Sequence, residues 1–182
     1  MRIISGQARG FRLKAPKGTK TRPTSDRVKE ALFNIMMDDI KGSNWLDLYA
    51  GSGGIGIEAL SRGAQSVLFI EQANEAIKII NENLKGSKLI GGKVVKQDVL
   101  NFLAKDNPSS MFDVIFLDPP YNSVTTEKTL QLIQHNKWLK NNGTTVFEAS
   151  KGEALPERVD NLFLYRIKNY GDTTLNFFKY SG

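Results

Sequence analysis

Asp118, Pro119 and Tyr121 are the residues of this chain best suited by type and spacing to act on a planar nitrogen. They belong to Asp118-Pro119-Pro120-Tyr121, directly behind the apolar run Val114-Ile115-Phe116-Leu117. An amide or ring-attached amine is a poor nucleophile, because its lone pair is delocalised. The Asp118 carboxylate and the Pro119 carbonyl form an acceptor pair. They can hydrogen-bond two N–H groups and favour a pyramidal nitrogen with an aimed lone pair. Tyr121 can stack on the plane of the acceptor ring. Rate would then come from alignment and electrostatics, not from a strong base. The run in front, with two β-branched residues, reads as a buried strand. The prolines must end it, since proline cannot donate to a strand ladder. A lone Asp-Pro is commonly a strand cap and a surface turn. The whole tetrapeptide behind a hydrophobic strand reads as a ligand site at the carboxyl end of a sheet.

A second constellation lies upstream. Gly51, Gly53 and Gly56 fit G-x-G-x-x-G between the apolar run Trp45 to Tyr49 and a helical segment, and Glu71 lies twenty residues past Gly51. That spacing suits a ligand held close to backbone, with an acid for a ribose diol. Nicotinamide dinucleotides and S-adenosylmethionine both use it. Asp47 separates them, because a carboxylate beside the loop repels a pyrophosphate and attracts a sulfonium or a free α-amino group. Asp98 follows a third apolar run and can accept from the exocyclic amine of adenine. Together Asp47, Glu71 and Asp98 outline S-adenosylmethionine.

The charge is segregated. Net charge is +6 over 182 residues. Residues 1–29 hold nine Lys/Arg (Arg2, Arg9, Arg12, Lys14, Lys17, Lys20, Arg22, Arg27 and Lys29) against Asp26 alone, so this segment is +8 and the remainder −2. Charge gathered this way points to a polyanion-binding arm. There is no cysteine, which excludes disulfides, thiolate catalysis and thiolate metal sites. The one histidine, His135, lies in polar surroundings with no second histidine to share a metal. No metal site is expected. The N-terminus lacks the apolar run of a signal peptide, and no segment has the length to span a bilayer. The expected compartment is the cytoplasm.

The elements that must position these residues follow from periodicity. Residues 2–14 read as two short strands around a glycine-flanked turn, with cations interleaved among Ile3, Phe11 and Leu13. A helix capped by Thr24 or Ser25 carries an apolar stripe of Val28, Ala31, Leu32, Ile35 and Met36. Arg22, Thr24 and Arg27 stand at its entrance, where donors and cations can meet a ligand. Strands are expected at 44–50, 66–70, 93–97, 112–117 and 144–148, and helices at 57–62, 99–105 and 125–135. Another helix after Glu71 should present Ala73, Ile77, Ile80 and Leu84 on one face. Runs 162–169 and 173–180 read as an antiparallel hairpin around Tyr170-Gly171-Asp172. Alternating strands and helices imply one domain with a parallel sheet covered on both faces.

Several blocks resemble the RsmD-type methyltransferases. They are Arg2-Ile3-Ile4-Ser5-Gly6, Arg9-Gly10, Arg22-Pro23-Thr24, Asp26 to Asn34, Asp47-Leu48-Tyr49-Ala50-Gly51-Ser52-Gly53, Phe116 to Tyr121 and Tyr170-Gly171-Asp172-Thr173. Members of that family modify one guanine of bacterial small-subunit ribosomal RNA at N2, using S-adenosylmethionine. The resemblance runs from residue 2 almost to the end, and its amino-terminal blocks are the specific part. It implies an α/β, Rossmann-like class I methyltransferase fold. The sheet would have seven strands, mainly parallel, with an antiparallel C-terminal strand, and residues 1–23 would form a basic hairpin extension. By position it implies cofactor contacts at Asp47, Ala50, Gly51, Ser52, Gly53, Glu71, Gln72, Asp98, Val99 and Asp118. Catalysis falls to Asp118, Pro119 and Tyr121, and RNA contacts to Arg2, Arg9, Arg12, Lys14, Arg22, Thr24 and Arg27. The implied partner is 16S rRNA, in the 30S subunit or an assembly intermediate, engaged by a monomer. Tyr49 stands where Phe is usual, and Gly54-Ile55 where Ala-Leu is common. The motif chemistry itself leaves guanine N2 and adenine N6 of DNA both open. A nicotinamide oxidoreductase rests on the glycine spacing alone. A non-catalytic RNA-binding module rests on the basic arm alone.

Overall fold

The central apolar runs do form strands, and they assemble into one sheet in the order β3 (Gly92–Lys96), β2 (Ser66–Glu71), β1 (Asn44–Leu48), β4 (Phe112–Leu117), β5 (Leu139–Ser150), β8 (Thr173–Tyr180), β7 (Leu162–Tyr170) and β6 (Arg158–Val159). The computed structural model describes residues 1–15, 24–105, 111–119 and 123–181, with the side chains of 123–125 excepted. Arg22, Pro120 and Tyr121 lie outside the described residues, as do Lys17 and Lys20. The strands β1, β2, β3, β4 and β5 run parallel. Then β8 pairs antiparallel with β5, and β7 antiparallel with β8. This is the expected hairpin. An eighth strand, the two-residue β6, joins the edge beside β7. Two residues carry no periodicity, so the expected seven strands omit it. The fifth strand also begins earlier than Thr144, because Leu139 pairs with Phe112 ahead of a register break.

Period-two alternation divides the core into two layers, one on each face of the sheet. Trp45, Phe69, Val114, Phe116, Val146 and Phe177 face one cluster. With them pack Leu32 and Phe33 of α1 (Asp26–Ile35), Ile57 of α2 (Gly54–Ser61) and Ile80 of α3 (Asn74–Ser87). Leu46, Leu48, Ile115, Leu117 and Phe147 face the other. There they meet Phe102 of α4 (Val99–Leu103) and Leu130 and Ile133 of α5 (Ser123–His135). The helix face of α3 differs from expectation. Ala73 is its exposed cap and Ile77 is half-buried, while Ala76, Ile79, Ile80 and Asn83 are buried. Asn83 turns inward because its Nδ2 donates to the Ser52 and Lys14 carbonyls at 2.9 and 3.0 Å. Its Oδ1 accepts from the Lys14 N–H. A buried amide with its groups satisfied this way costs little to bury.

The arm is a hairpin with a single antiparallel bridge, Arg2 to Arg12, in place of two full strands. Ile3 and Leu13 are buried, while Arg2, Arg9, Arg12 and Lys14 are exposed. Its anchor is Glu58 on α2. That buried carboxylate accepts from the Ile4 and Ser5 N–H groups at 2.8 and 3.0 Å and from Arg62 Nε at 2.8 Å. Lys29 Nζ lies 3.3 Å away, and both the Lys29 and Glu58 side chains are wholly shielded from solvent. Lys29 also donates to the Arg2 carbonyl. It therefore belongs to the interior, not to the basic face on which its charge was counted. Burial pulls its pKa down, opposed chiefly by Glu58. Glu58→Gln should destabilise the protein by about 3–5 kcal/mol in urea unfolding, because it leaves the ammonium buried without its counter-charge. A change below about 1 kcal/mol would mean that Lys29 needs no anionic partner.

Candidate active site

Strand order reverses direction between β1 and β4, and open α/β sheets bind ligands at that crevice. The glycine loop leaves β1 there, and Asp118 leaves β4. Alternation sets the orientation of the acids. Asp47 follows Trp45, Asp118 follows Phe116 and Glu148 follows Val146, each two residues on. All three therefore sit on the face covered by α1 and α2.

The loop turns sharply. Tyr49 has φ 58°, and Gly53, in the left-handed region at φ 75°, precedes α2. Gly56 lies within α2, where an added Cβ would come within 2.3 Å of the Phe69 ring, so its role is close packing of helix on sheet. At Gly51 an added Cβ would meet nothing nearer than the Tyr49 carbonyl at 3.9 Å, which leaves open space beside the backbone. Glu71 Oε2 accepts from the Gly51 N–H at 2.9 Å, and its Oε1 accepts from the Gln72 and Ala73 N–H groups. Ala50, Ser52 and Gly53 are buried within the turn, and Gln72 is exposed. Asp98 caps α4 by accepting from the Asn101 N–H at 2.9 Å, and Val99 is buried in the core under it. The Tyr49 hydroxyl hydrogen-bonds the Thr129 side chain on α5.

Asp47 is buried and accepts a hydrogen bond from the Gly56 N–H at 3.0 Å. Burial drives its carboxyl up to about 8, the Gly56 bond opposes this, and the Glu71 charge adds to it. Burial also raises Asp118, followed by the charges of Glu148 and Asp47. Glu148 is raised by its own burial, against a short bond in which the Thr24 hydroxyl donates to its Oε2 at 2.6 Å. Asp118, Glu148, Arg27, Tyr170 and Asp172 line one cleft of about 260 Å³.

The structure thus brings together Asp47, the loop, Glu71 and Asp118 at neighbouring strand ends; Arg27 lines the cleft that holds Asp118, and Thr24 is tied to it through Glu148. Arg2, Arg9, Arg12 and Lys14 lie outside it on the arm; Lys14 also pairs with Glu82 at 2.9 Å. Asn83, Glu148 and the Tyr170–Thr173 turn were missing from the sequence-derived site. For Glu148 a signal existed: like Asp118, it is an acid near the carboxyl end of a parallel strand. The donor set fits S-adenosylmethionine. A buried carboxyl held up near 8 behind an open glycine turn is stabilised in its charged form by a cation, whereas a pyrophosphate would push it up further.

A Rossmann-like sheet with an antiparallel terminal hairpin, a glycine turn after β1 and an Asp-Pro after β4 defines a class I, S-adenosylmethionine-dependent methyltransferase. Comparison narrows the class. A family model described as conserved hypothetical protein 95 matches residues 1–179. The chain is similar to the putative rRNA methyltransferase YlbH of Bacillus subtilis, with 41% identity over 100% of both chains. It is 34% identical to ribosomal RNA small subunit methyltransferase D of Escherichia coli, covering 98% of this chain and 89% of that one. A solved structure, the putative methyltransferase yhhF from Escherichia coli, superposes with a TM-score of 0.89 at 34% identity, covering 100% and 98% of the two chains. The chain belongs to the ribosomal RNA small subunit methyltransferase D (RsmD-type) family. The nicotinamide reading is thereby set aside.

The raised Asp47 carboxyl has a consequence for stability. Its unfolded value lies near ~4. Between that value and about 8 the folded state holds the proton more tightly, so Asp47 costs stability increasingly as pH rises. Without cofactor, Asp47→Asn should melt higher than the parent by a margin that widens from pH ~5 to ~8. Thermal melts at several pH values check this, and a margin independent of pH would contradict it.

Proposed function

We propose that this chain transfers a methyl group from S-adenosylmethionine to the exocyclic N2 of one guanine in 16S rRNA. It would act as a cytoplasmic monomer on the 30S subunit or an assembly intermediate. The observation that carries the reading is the placement of Asp118 at the β4 end, beside the glycine turn and within the Arg27-lined cleft. When bound, the cofactor supplies an electrophilic methyl on a sulfonium. Asp47 balances its positive end, with Ala50, Gly51, Ser52 and Gly53 giving close backbone approach. Glu71 accepts from the ribose, with Gln72 beside it, and Asp98 with Val99 frames the adenine. The Asp118 carboxylate and Pro119 carbonyl hold the two N–H groups of the target amine, so that its lone pair points at the methyl group. Tyr121 stacks on the base. A base stacked within folded RNA must first be turned outward.

The arm engages the RNA backbone. Arg2, Arg9, Arg12 and Lys14 are exposed on the hairpin whose inner side is anchored by Ile3 and Leu13, and Arg22 extends the same charged segment. Thr24 and Arg27 join the arm to the cleft. The names of the relatives support RNA as substrate, and the arm supplies the electrostatics such a substrate needs.

Asp118→Ala should abolish labelled-methyl transfer to 16S rRNA while leaving the cofactor dissociation constant within a few-fold; loss of cofactor binding alone would reassign the residue. Transfer to DNA adenine in place of ribosomal RNA would overturn the substrate. Replacing Arg2, Arg9 and Arg12 with Ala should weaken RNA binding and flatten its salt dependence by a log–log slope of order 0.7 for each single-strand phosphate that the arm no longer neutralises. An unchanged slope would show that the arm does not touch the RNA.

A further inference from the structure

The cleft contains an acid that methyl transfer, as described above, does not use. Glu148 is half-buried, and the Thr24 hydroxyl donates a hydrogen bond to its Oε2. Among the described residues no ion pair neutralises it. A carboxylate kept partly out of water with so little compensation is costly to the fold, so its position calls for a donor ligand.

Register shows where that donor would come from. Leu117 of β4 pairs with Phe147 of β5, and Asp118 and Glu148 each follow by one residue. Their side chains therefore emerge on the same face of strands about 4.8 Å apart. Arg27 lines the same cleft from the first turn of α1. The cleft thus offers an acceptor, a second acceptor and a donor. The base-pairing edge of guanine offers the complement: the N2 amine, the N1–H and the O6 carbonyl. Adenine presents an acceptor at N1, which would face the Glu148 carboxylate with no proton between them.

We infer that Glu148 is the specificity residue of this site, accepting the guanine N1–H beside Asp118 at N2, with Arg27 donating to O6. Thr24 fixes the carboxylate by holding Oε2, so that the other oxygen can face the base. The inference rests on the methylation reading and deepens it, since the Asp-Pro-Pro-Tyr motif alone does not choose between guanine N2 and adenine N6. It also explains why the entrance of α1 is tied to β5: the Thr24 bond sets the angle of the group that reads the base.

The test uses the full-length enzyme and 16S rRNA joined from fragments, carrying either guanine or 2-aminopurine at the methylated position. 2-Aminopurine keeps the N2 amine, has an unprotonated N1 and lacks O6, so the wild-type preference reports both contacts and the two variants divide them. Wild-type kcat/KM should favour guanine by at least on the order of 100-fold, because the analogue leaves the site's half-buried acceptor unpaired. Glu148→Gln should narrow that ratio at least tenfold, because the amide nitrogen can donate to the analogue's N1; cofactor affinity and melting temperature report its integrity. Arg27→Ala should lower guanine turnover without reproducing the gain on 2-aminopurine, which separates the N1 contact from the O6 contact. Two outcomes would overturn the inference: wild-type enzyme methylating both RNAs equally, or Glu148→Gln reducing both by the same factor. A wild-type enzyme inert on the guanine RNA would remove the underlying methylation reading as well.

Discussion

The buried carboxylate of Glu58 holds together the parts of this protein that the site depends on. It lies on α2, accepts two backbone N–H groups of the arm and one from Arg62, and faces the Lys29 ammonium of α1. Three segments far apart in sequence therefore share one ion cluster. A buried pair of this kind contributes little net stability compared with apolar packing, but removing one member is severe. Its value here is geometric. It fixes α1 against α2, and α1 carries Arg27 and, just ahead of its Ser25 cap, Thr24. The charged exterior of the arm and the acid-lined cleft are thereby held in one frame.

The site stands in electrostatic tension. Asp47, Asp118 and Glu148 lie on one face of the sheet and all three are raised, with burial as the first cause in each case. Grouping them lowers the stability of the empty protein as pH rises. The acids call for two kinds of partner: a cation would suit Asp47, and neutral N–H donors would suit Asp118 and Glu148. Such clustering is a common signature of a functional site, and among the described residues these acids have no ion pair to offset it. Glu58, with four donors around it, shows how the same fold treats a carboxylate that serves structure.

Most of this was legible in the sequence where local pattern and tertiary placement agree. The runs before Asp47, Glu71 and Asp118 have strand periodicity, and the sheet rule places their ends in one crevice. The carboxyl-terminal hairpin was legible for the same reason, with alternation broken by Tyr170-Gly171-Asp172. Legibility failed where partners are remote. Lys29 looks like part of a cationic arm until Glu58, contributed by another helix, is placed beside it. Asn83 looks like the polar margin of an amphipathic helix, and only the Ser52 and Lys14 carbonyls explain why it faces inward. Glu148 lies near the end of an ordinary hydrophobic strand, and its meaning depends on the register of β5 with β4. Asp98 reads as a ligand acceptor in sequence, and in the structure its carboxylate caps α4, which strand and helix periodicity does not reveal.

The division of charge between arm and cleft also constrains how an RNA can approach. On the proposed reading phosphates would be drawn to Arg2, Arg9 and Arg12, which are exposed on the arm. The acids at the strand ends offer no cation to a phosphate, and a phosphate settling beside them would raise their carboxyls further. A backbone therefore cannot settle in the crevice, while an uncharged base edge rich in N–H donors can enter it. Arg27 stands at the boundary, exposed yet lining the cleft. On the proposed reading, the same segregation that separates the amino-terminal arm from the rest of the sequence would separate the two halves of a nucleotide, holding its phosphate outside while its base is presented to Asp118.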